Sequence, residues 1–330
     1  MQNPPLSRRR LLIQAAAAAS LPWFALAARA QSWPSKPIRV VVGYPAGGQT
    51  DLFARLYGEY VQQQTGQQWI VENKAGAGGS IAAGEVKRAA PDGHTLMFTI
   101  STTMIMNRVL YKSIPYDTEK DFSLVSIMPA GGLPLVAATR TGATNLKEFV
   151  EHAKRSDKAS IGTYAAGSFA HIAVAELNKQ YGLKIEPVHY RGEAPMWTDL
   201  GGASIDGAIG STGAATNILQ TGKGKAVAIS RKRSPKLPGV GTFEEQGAVS
   251  RAFSLTGFQC CAAPSGTPKA ILTRLSELLV AAGKGEKVQA MMAQFGLDEP
   301  AMTMDDSQRL YDTEAPVWLD LVKGLALTPE

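Results

Sequence analysis

A chain of 330 residues is too long for one small core and suits two domains of ordinary size. With 45% hydrophobic and 19% charged residues, the sequence is globular rather than disordered. The formal charge of +6 does not argue for nucleic acid: Arg8, Arg9, Arg10 and Arg29 all sit in an N-terminal leader, and without them the balance is about +2.

The leader has three parts. Ser7-Arg8-Arg9-Arg10-Leu11-Leu12 is a basic segment resembling a twin-arginine export signal, residues 12–27 are apolar, and Ala28-Arg29-Ala30 offers a small-residue cleavage site before Gln31. A retained membrane anchor is the alternative, but the stretch is Ala-rich, short for a span and broken by Pro22. Residues 1–30 are therefore expected to be a signal peptide, and the mature chain to be periplasmic.

The next residues, 38–42, read as a strand. It runs into Gly43-Tyr44-Pro45-Ala46-Gly47-Gly48-Gln49-Thr50-Asp51, a glycine turn opening a helix over about 51–64 that Gly66 stops. Residues 69–72 form a second strand, followed by the glycine-rich Asn73–Ser80 segment and a helix to about Ala89. After the turn at Pro91-Asp92-Gly93, residues 96–100 make a third strand. Strands alternating with helices at this spacing predict a parallel α/β sheet.

The second half repeats the pattern. Thr163-Tyr164-Ala165-Ala166-Gly167-Ser168-Phe169-Ala170-His171 again has Tyr, an Ala-Gly pair two residues on and a polar residue seven after the Tyr. A helix over 169–181 ends at Gly182, residues 185–189 form a strand, and Tyr190-Arg191-Gly192 leads to a helix near 194–200. Ten residues separate Gly66 from Gly76, and ten separate Gly182 from Gly192. Either α/β folds simply reuse such units, or the halves are related lobes; the matched Tyr and Ala-Gly positions favour lobes.

Cys260 and Cys261 lie in an apolar strand-like run and read as small core residues, with a strained vicinal disulfide as the alternative in an oxidising compartment. Residues 268–295 read as helical, with Leu272, Leu275, Leu278, Leu279 and Val288 on an apolar stripe. Residues 305–321 predict the last helix, with Trp318 packing inward.

Motifs for familiar chemistry are missing. Gly76-Ala77-Gly78-Gly79-Ser80-Ile81 fails the dinucleotide fingerprint at its third glycine, and Gly222-Lys223-Gly224-Lys225 lacks phosphate-loop spacing. His94, His152, His171 and His189 are scattered, and there is no G-x-S-x-G elbow. No catalytic residue, metal or cofactor is predicted. What remains is small polar residues at strand C-termini, where open α/β sheets bind ligands. Two strand–glycine turn–helix units aim backbone N–H groups above their helix starts, so a small anion gripped between lobes without a cationic side chain is expected.

On these residues the chain resembles the substrate-binding receptors of tripartite tricarboxylate transporters, the Bug family. The likeness covers nearly all of the mature chain. It is carried by Pro37-Ile38-Arg39-Val40-Val41-Val42, Pro45-Ala46-Gly47-Gly48-Gln49-Thr50-Asp51, Val71-Glu72-Asn73-Lys74-Ala75-Gly76-Ala77-Gly78-Gly79 and Pro91-Asp92-Gly93-His94-Thr95-Leu96. Further matches are Pro115-Tyr116-Asp117, Asp121-Phe122, Lys232-Arg233-Ser234-Pro235 and Ala263-Pro264-Ser265-Gly266-Thr267-Pro268.

The resemblance implies a two-lobed type II periplasmic-binding-protein-like α/β fold, each lobe a mostly parallel sheet flanked by helices. Lobe 1 is expected over 31–134 plus 256–330 and lobe 2 over 135–255, with crossings near 133–137 and 254–259. It implies an extracytoplasmic solute receptor, monomeric and not an enzyme, that takes a small carboxylate and delivers it to the membrane subunits of a transporter. A sensor on the same fold and an α/β hydrolase are the alternatives.

By motif, the ligand-binding residues map to Tyr44, Ala46, Gly47, Gly48, Gln49, Thr50 and Asp51 in the first loop and to Ala166, Gly167, Ser168 and His171 in the second. Ser101, Thr102, Ser211 and Thr212 join them from strand ends. Gly47 and Gly48 admit an anion or merely shape the turn. Thr50 donates to it or caps its helix. Asp51 orients the loop, or receives an ammonium if the ligand is an amino acid. His171 supports its loop or touches the ligand. The chain departs from the family pattern at His94, at Val188-His189-Tyr190 and at Gly210-Ser211-Thr212-Gly213, the last near the expected distal end of the ligand.

Overall fold

The computed structural model describes residues 33–190 and 192–329; the leader expected over 1–30 and Arg191 of the Tyr190-Arg191-Gly192 turn lie outside the described residues. Two five-stranded sheets form, the first from runs rich in β-branched and aromatic residues and the second from shorter runs rich in Ala, Gly and aliphatic residues. The first contains β1 (Ile38–Val42), β2 (Trp69–Asn73), β3 (Thr95–Ile100), β4 (Phe122–Pro129) and β10 (Phe258–Pro264), in the order β2-β1-β3-β10-β4. The second contains β5 (Pro134–Ala138), β6 (Ser160–Thr163), β7 (Glu186–His189), β8 (Gly207–Ile209) and β9 (Gly224–Ile229), in the order β7-β6-β8-β5-β9.

The two orders are equivalent. β1 pairs parallel with β2 and β3, as β6 does with β7 and β8. β10 runs antiparallel between β3 and β4, as β5 does between β8 and β9. Each sheet is thus mostly parallel, with one opposed strand. That strand arrives from the other sheet rather than through a helical crossover, so nothing forces it parallel.

Among the described residues, eight helices have nine or more residues: α1 (Gln49–Thr65), α2 (Leu146–Arg155), α3 (Phe169–Tyr181), α4 (Glu193–Gly201), α5 (Thr212–Gln220), α6 (Lys269–Gly283), α7 (Glu286–Phe295) and α8 (Met304–Gly324). The single helical segment expected over 268–295 is in fact α6 and α7, broken at Lys284-Gly285; glycine is disfavoured in a helix interior and here caps the start of α7. Trp318 on α8 packs inward at 1% exposure. Cys260 and Cys261 are free thiols buried in β10, in keeping with the core reading. None of the described helices is long and apolar enough to cross a membrane.

The chain passes from the first sheet to the second through residues 130–133 and returns through residues 230–257, which include a short turn at Arg251–Ser254. The two passages are tied together where Ala130 N donates to Gly257 O at 2.7 Å. Thr256 N donates to Glu314 Oε2 at 2.7 Å, anchoring the return passage to α8. A third connection follows α7, where Arg231 and Lys232 pair with Glu299, and Lys232 also with Asp298.

Gly58 shows how closely α1 lies on its sheet. A Cβ at this position would overlap the indole of Trp69, which is held by its own bond from Nε1 to Ala54 O at 3.0 Å. Helix propensity alone makes Gly58→Ala favourable by about 1 kcal/mol. Overpacking a ring that cannot move costs about 1–3 kcal/mol. The substitution is therefore expected to destabilise, with the urea midpoint falling; a raised midpoint contradicts this packing.

Candidate ligand cleft

The two repeated loops share one device. Gly47 and Gly167 adopt left-handed backbone, with φ of 78° and 68°, a conformation that costs glycine little. In each loop the polar residue seven after the Tyr turns back to accept the glycine amide. Gly47 N donates to Asp51 Oδ2 at 2.9 Å, and Gly167 N donates to His171 Nδ1 at 3.2 Å.

The two acceptors differ in charge. Asp51 is 2% exposed. Burial alone would raise its carboxyl, but Arg55, the Gly47 amide and Asn73 together hold it below the ordinary value. His171 is neutral: burial, and secondly the His189 ring 4.4 Å away, push its imidazole down to about 4. His189 Nδ1 in turn shares a 2.7 Å hydrogen bond with Thr163 Oγ1.

The helix starts differ as well. Ser168 caps α3, its Oγ accepting from His171 N at 3.4 Å while its proton goes to Ala165 O at 2.6 Å. The matching residue before α1 is Gly48, and no side chain caps that helix. α1 therefore starts without the side-chain cap that α3 has, and Ser168 itself takes only one of the open N–H groups of α3, that of His171.

Gln49 and Thr50, at this open start, line a cavity of about 240 Å³ between the sheets. Ile100, Ser101, Thr102, Met106, Phe258 and Gln259 also line its first-sheet side. Tyr164, Phe169, Glu193 and Ser211 face it from the second, and passage residues such as Gly131, Leu133, Leu255 and Gly257 form its back. Phe169 and Trp318 meet edge-on there, centroids 6.3 Å apart. Among the described residues lining it there is no Lys, Arg or His. A space of this size takes a small molecule. No group of three or more His, Cys, Asp or Glu among the described residues is placed to hold a metal ion.

Of the residues singled out by sequence, Gln49, Thr50, Ser101, Thr102 and Ser211 are brought together on this lining. Tyr44 folds the other way, its hydroxyl 3.2 Å from Gly78 O and 3.0 Å from Thr103 Oγ1. Ala46, Gly47, Gly48 and Ala166 are exposed, and Gly167 packs against Leu110. Ser168 and His171 organise the start of α3. Thr212 lies against Gly296 with its hydroxyl 3.4 Å from Gly132 O. Asp51 does not fit the ammonium-receiving role considered for it, because it is buried, paired to Arg55 at 2.9 Å and off the lining.

Glu193, Gln259, Tyr164, Phe169 and Trp318 are also on the lining and were not singled out for it. Glu193 changes the chemistry most. Its Oε1 accepts from Ser211 N at 3.0 Å, and its Oε2 accepts from Ser211 Oγ at 2.7 Å and Trp197 Nε1 at 3.3 Å. The Ser211 donors are thus engaged by a carboxylate of the protein itself. The partners are 18 residues apart, and no local pattern marks the pairing.

Two matched lobes around a small cleft define the solute-binding-protein class of fold. Within that class the chain belongs to the tripartite tricarboxylate transporter family of receptors, whose family model matches residues 53–327. A UPF0065 protein of Bordetella bronchiseptica is 32% identical over 272 residues, covering 82% of this chain and 79% of the relative. Among solved structures, R. palustris Rpa4515 with adipate superposes with a TM-score of 0.78 at 26% identity, covering 90% of this chain and 100% of the other. MatC from Rhodopseudomonas palustris with bound malate gives a TM-score of 0.72 at 27% identity, covering 88% and 100%.

The His171 environment yields a pH signature. Unfolded, the imidazole titrates near 6.5; folded, it titrates near 4. A depressed folded value gives stability that is present above pH 6.5 and lost as pH falls toward 4. The loss is on the order of 3 kcal/mol. His171→Gln keeps an acceptor for Gly167 N–H and should flatten the fall in melting temperature between pH 6.5 and 4. Equal slopes in wild type and variant contradict the assignment.

Proposed function

We propose that this protein is an extracytoplasmic receptor that closes on a small carboxylate and passes it to the membrane subunits of a tripartite transporter. The observation that carries this reading is the uncapped start of α1 opening onto the cavity through Gln49 and Thr50. A helix N-terminus contributes about 0.3–1 kcal/mol toward an anion, and up to about 2 in a partly buried site. Hydrogen bonds to a charged acceptor add about 1.5–3 kcal/mol each. Two or three of these gain about 3–9 kcal/mol before the cost of association, so the Ser101 and Thr102 hydroxyls beside them are needed to bring the net toward about −8 kcal/mol, which is micromolar affinity. An anion held by dipoles rather than by a salt bridge leaves easily, which suits delivery.

Membership of the receptor family supports the transport role, and the adipate- and malate-bound structures of its relatives support a carboxylate ligand. Closure would turn on the paired passages at residues 130–133 and 254–257, with lobe 1 comprising residues up to the first passage and from the second onward. The leader is consistent with export to the periplasm.

Gln49 provides the direct test, because it is the first residue of α1. Proline is tolerated at that position, and Gly48, with φ −74° and ψ 163°, already has the backbone that precedes proline. Gln49→Pro therefore removes one N–H and spares the fold, while Gln49→Ala removes only the side chain. Thermal shift against mono-, di- and tricarboxylates is expected to show binding by the wild type and a roughly tenfold loss confined to the proline variant. Equal affinity in both variants contradicts an amide grip at α1. A wild type stabilised by sugars or cations but by no carboxylate contradicts the function.

A further inference from the structure

The cleft is polarised. Its first-sheet side offers N–H groups and hydroxyls; its second-sheet side carries the carboxylate of Glu193. That carboxylate accepts three hydrogen bonds, from Ser211 N, Ser211 Oγ and Trp197 Nε1, all from neutral donors. Gly210 leaves room for it, since a Cβ there would come 3.2 Å from the Glu193 carboxyl carbon and closer still to Trp197. Tyr164, on the same lining, has its hydroxyl pushed well above the ordinary value, first by burial and second by the Glu193 charge.

Between the poles the walls are apolar, formed by Phe169, Leu133, Leu255 and Trp318.

We propose that Glu193 is a specificity-determining residue that selects a carboxylate ligand whose remote end is cationic, a zwitterion rather than a dicarboxylate. This rests on the carboxylate reading above and adds the other end of the molecule. A second carboxylate held near Glu193 meets like charge in a cleft of low dielectric, whereas an ammonium gains a charge-assisted bond to Glu193.

The test uses three matched series of four to six carbons: ω-amino acids, α,ω-dicarboxylates and unbranched monocarboxylates. Binding to the full mature chain is measured by calorimetry. The wild type should prefer the ω-amino acid over the dicarboxylate of equal length by about tenfold or more. Glu193→Gln keeps an acceptor for Ser211 N–H and removes the charge, so it should erase that preference and improve dicarboxylate binding. A wild type that binds dicarboxylates or monocarboxylates at least as tightly as ω-amino acids overturns the inference and leaves the carboxylate function standing. So does a Glu193→Gln protein that melts like the wild type and keeps the wild-type order of preference. A wild type that binds none of the three series overturns the carboxylate function and this inference together. Should the variant not fold, the wild-type order of preference alone decides.

Discussion

A side chain that reaches back four residues to hold a glycine amide fixes the start of the leading helix in both halves of this protein. Asp51 does this for Gly47 and His171 for Gly167. The left-handed glycine turns the chain sharply at the end of β1 or β6, and the clasp keeps that turn from relaxing. The equivalent strand orders show that this device is embedded in two copies of one topology, joined by exchanged strands.

Copies of a topology need not share a role. Ser168 closes the start of α3, whereas Gly48 leaves α1 open. Tyr164 lines the cavity, whereas Tyr44 is drawn away by the Gly78 carbonyl and Thr103. Divergence at single positions of a repeated motif therefore turns a symmetric frame into a cleft with an uncapped helix start on one side and an acidic side chain on the other. The charge of Asp51 is kept from this space by Arg55 and Asn73, which leaves Glu193 as the acid on the described lining.

Much of the fold was legible because it is local. The limits of α3 follow from Ser168 as cap and Gly182 as stop, and the first sheet's strands follow from runs such as Ile38–Val42. The break between α6 and α7 was missed because the apolar stripe continues across Gly285. The antiparallel insertion of β5 and β10 joins segments far apart in sequence, so no window of residues announces it. In the site, the loop glycines marked the helix starts, but not which start would stay open. The Glu193–Ser211 pair was illegible for the same reason as the strand exchange: its parts meet only when α4 and α5 pack side by side.

The central claim is that backbone dipole, rather than a cationic side chain, receives the ligand's negative end at the start of α1. A crystal structure of the protein with its bound acid tests it most directly. The account predicts carboxylate oxygens about 2.7–3.2 Å from the Gln49 and Thr50 amide nitrogens, between the two sheets. A carboxylate clamped by a lysine or arginine, or seated away from α1, contradicts it.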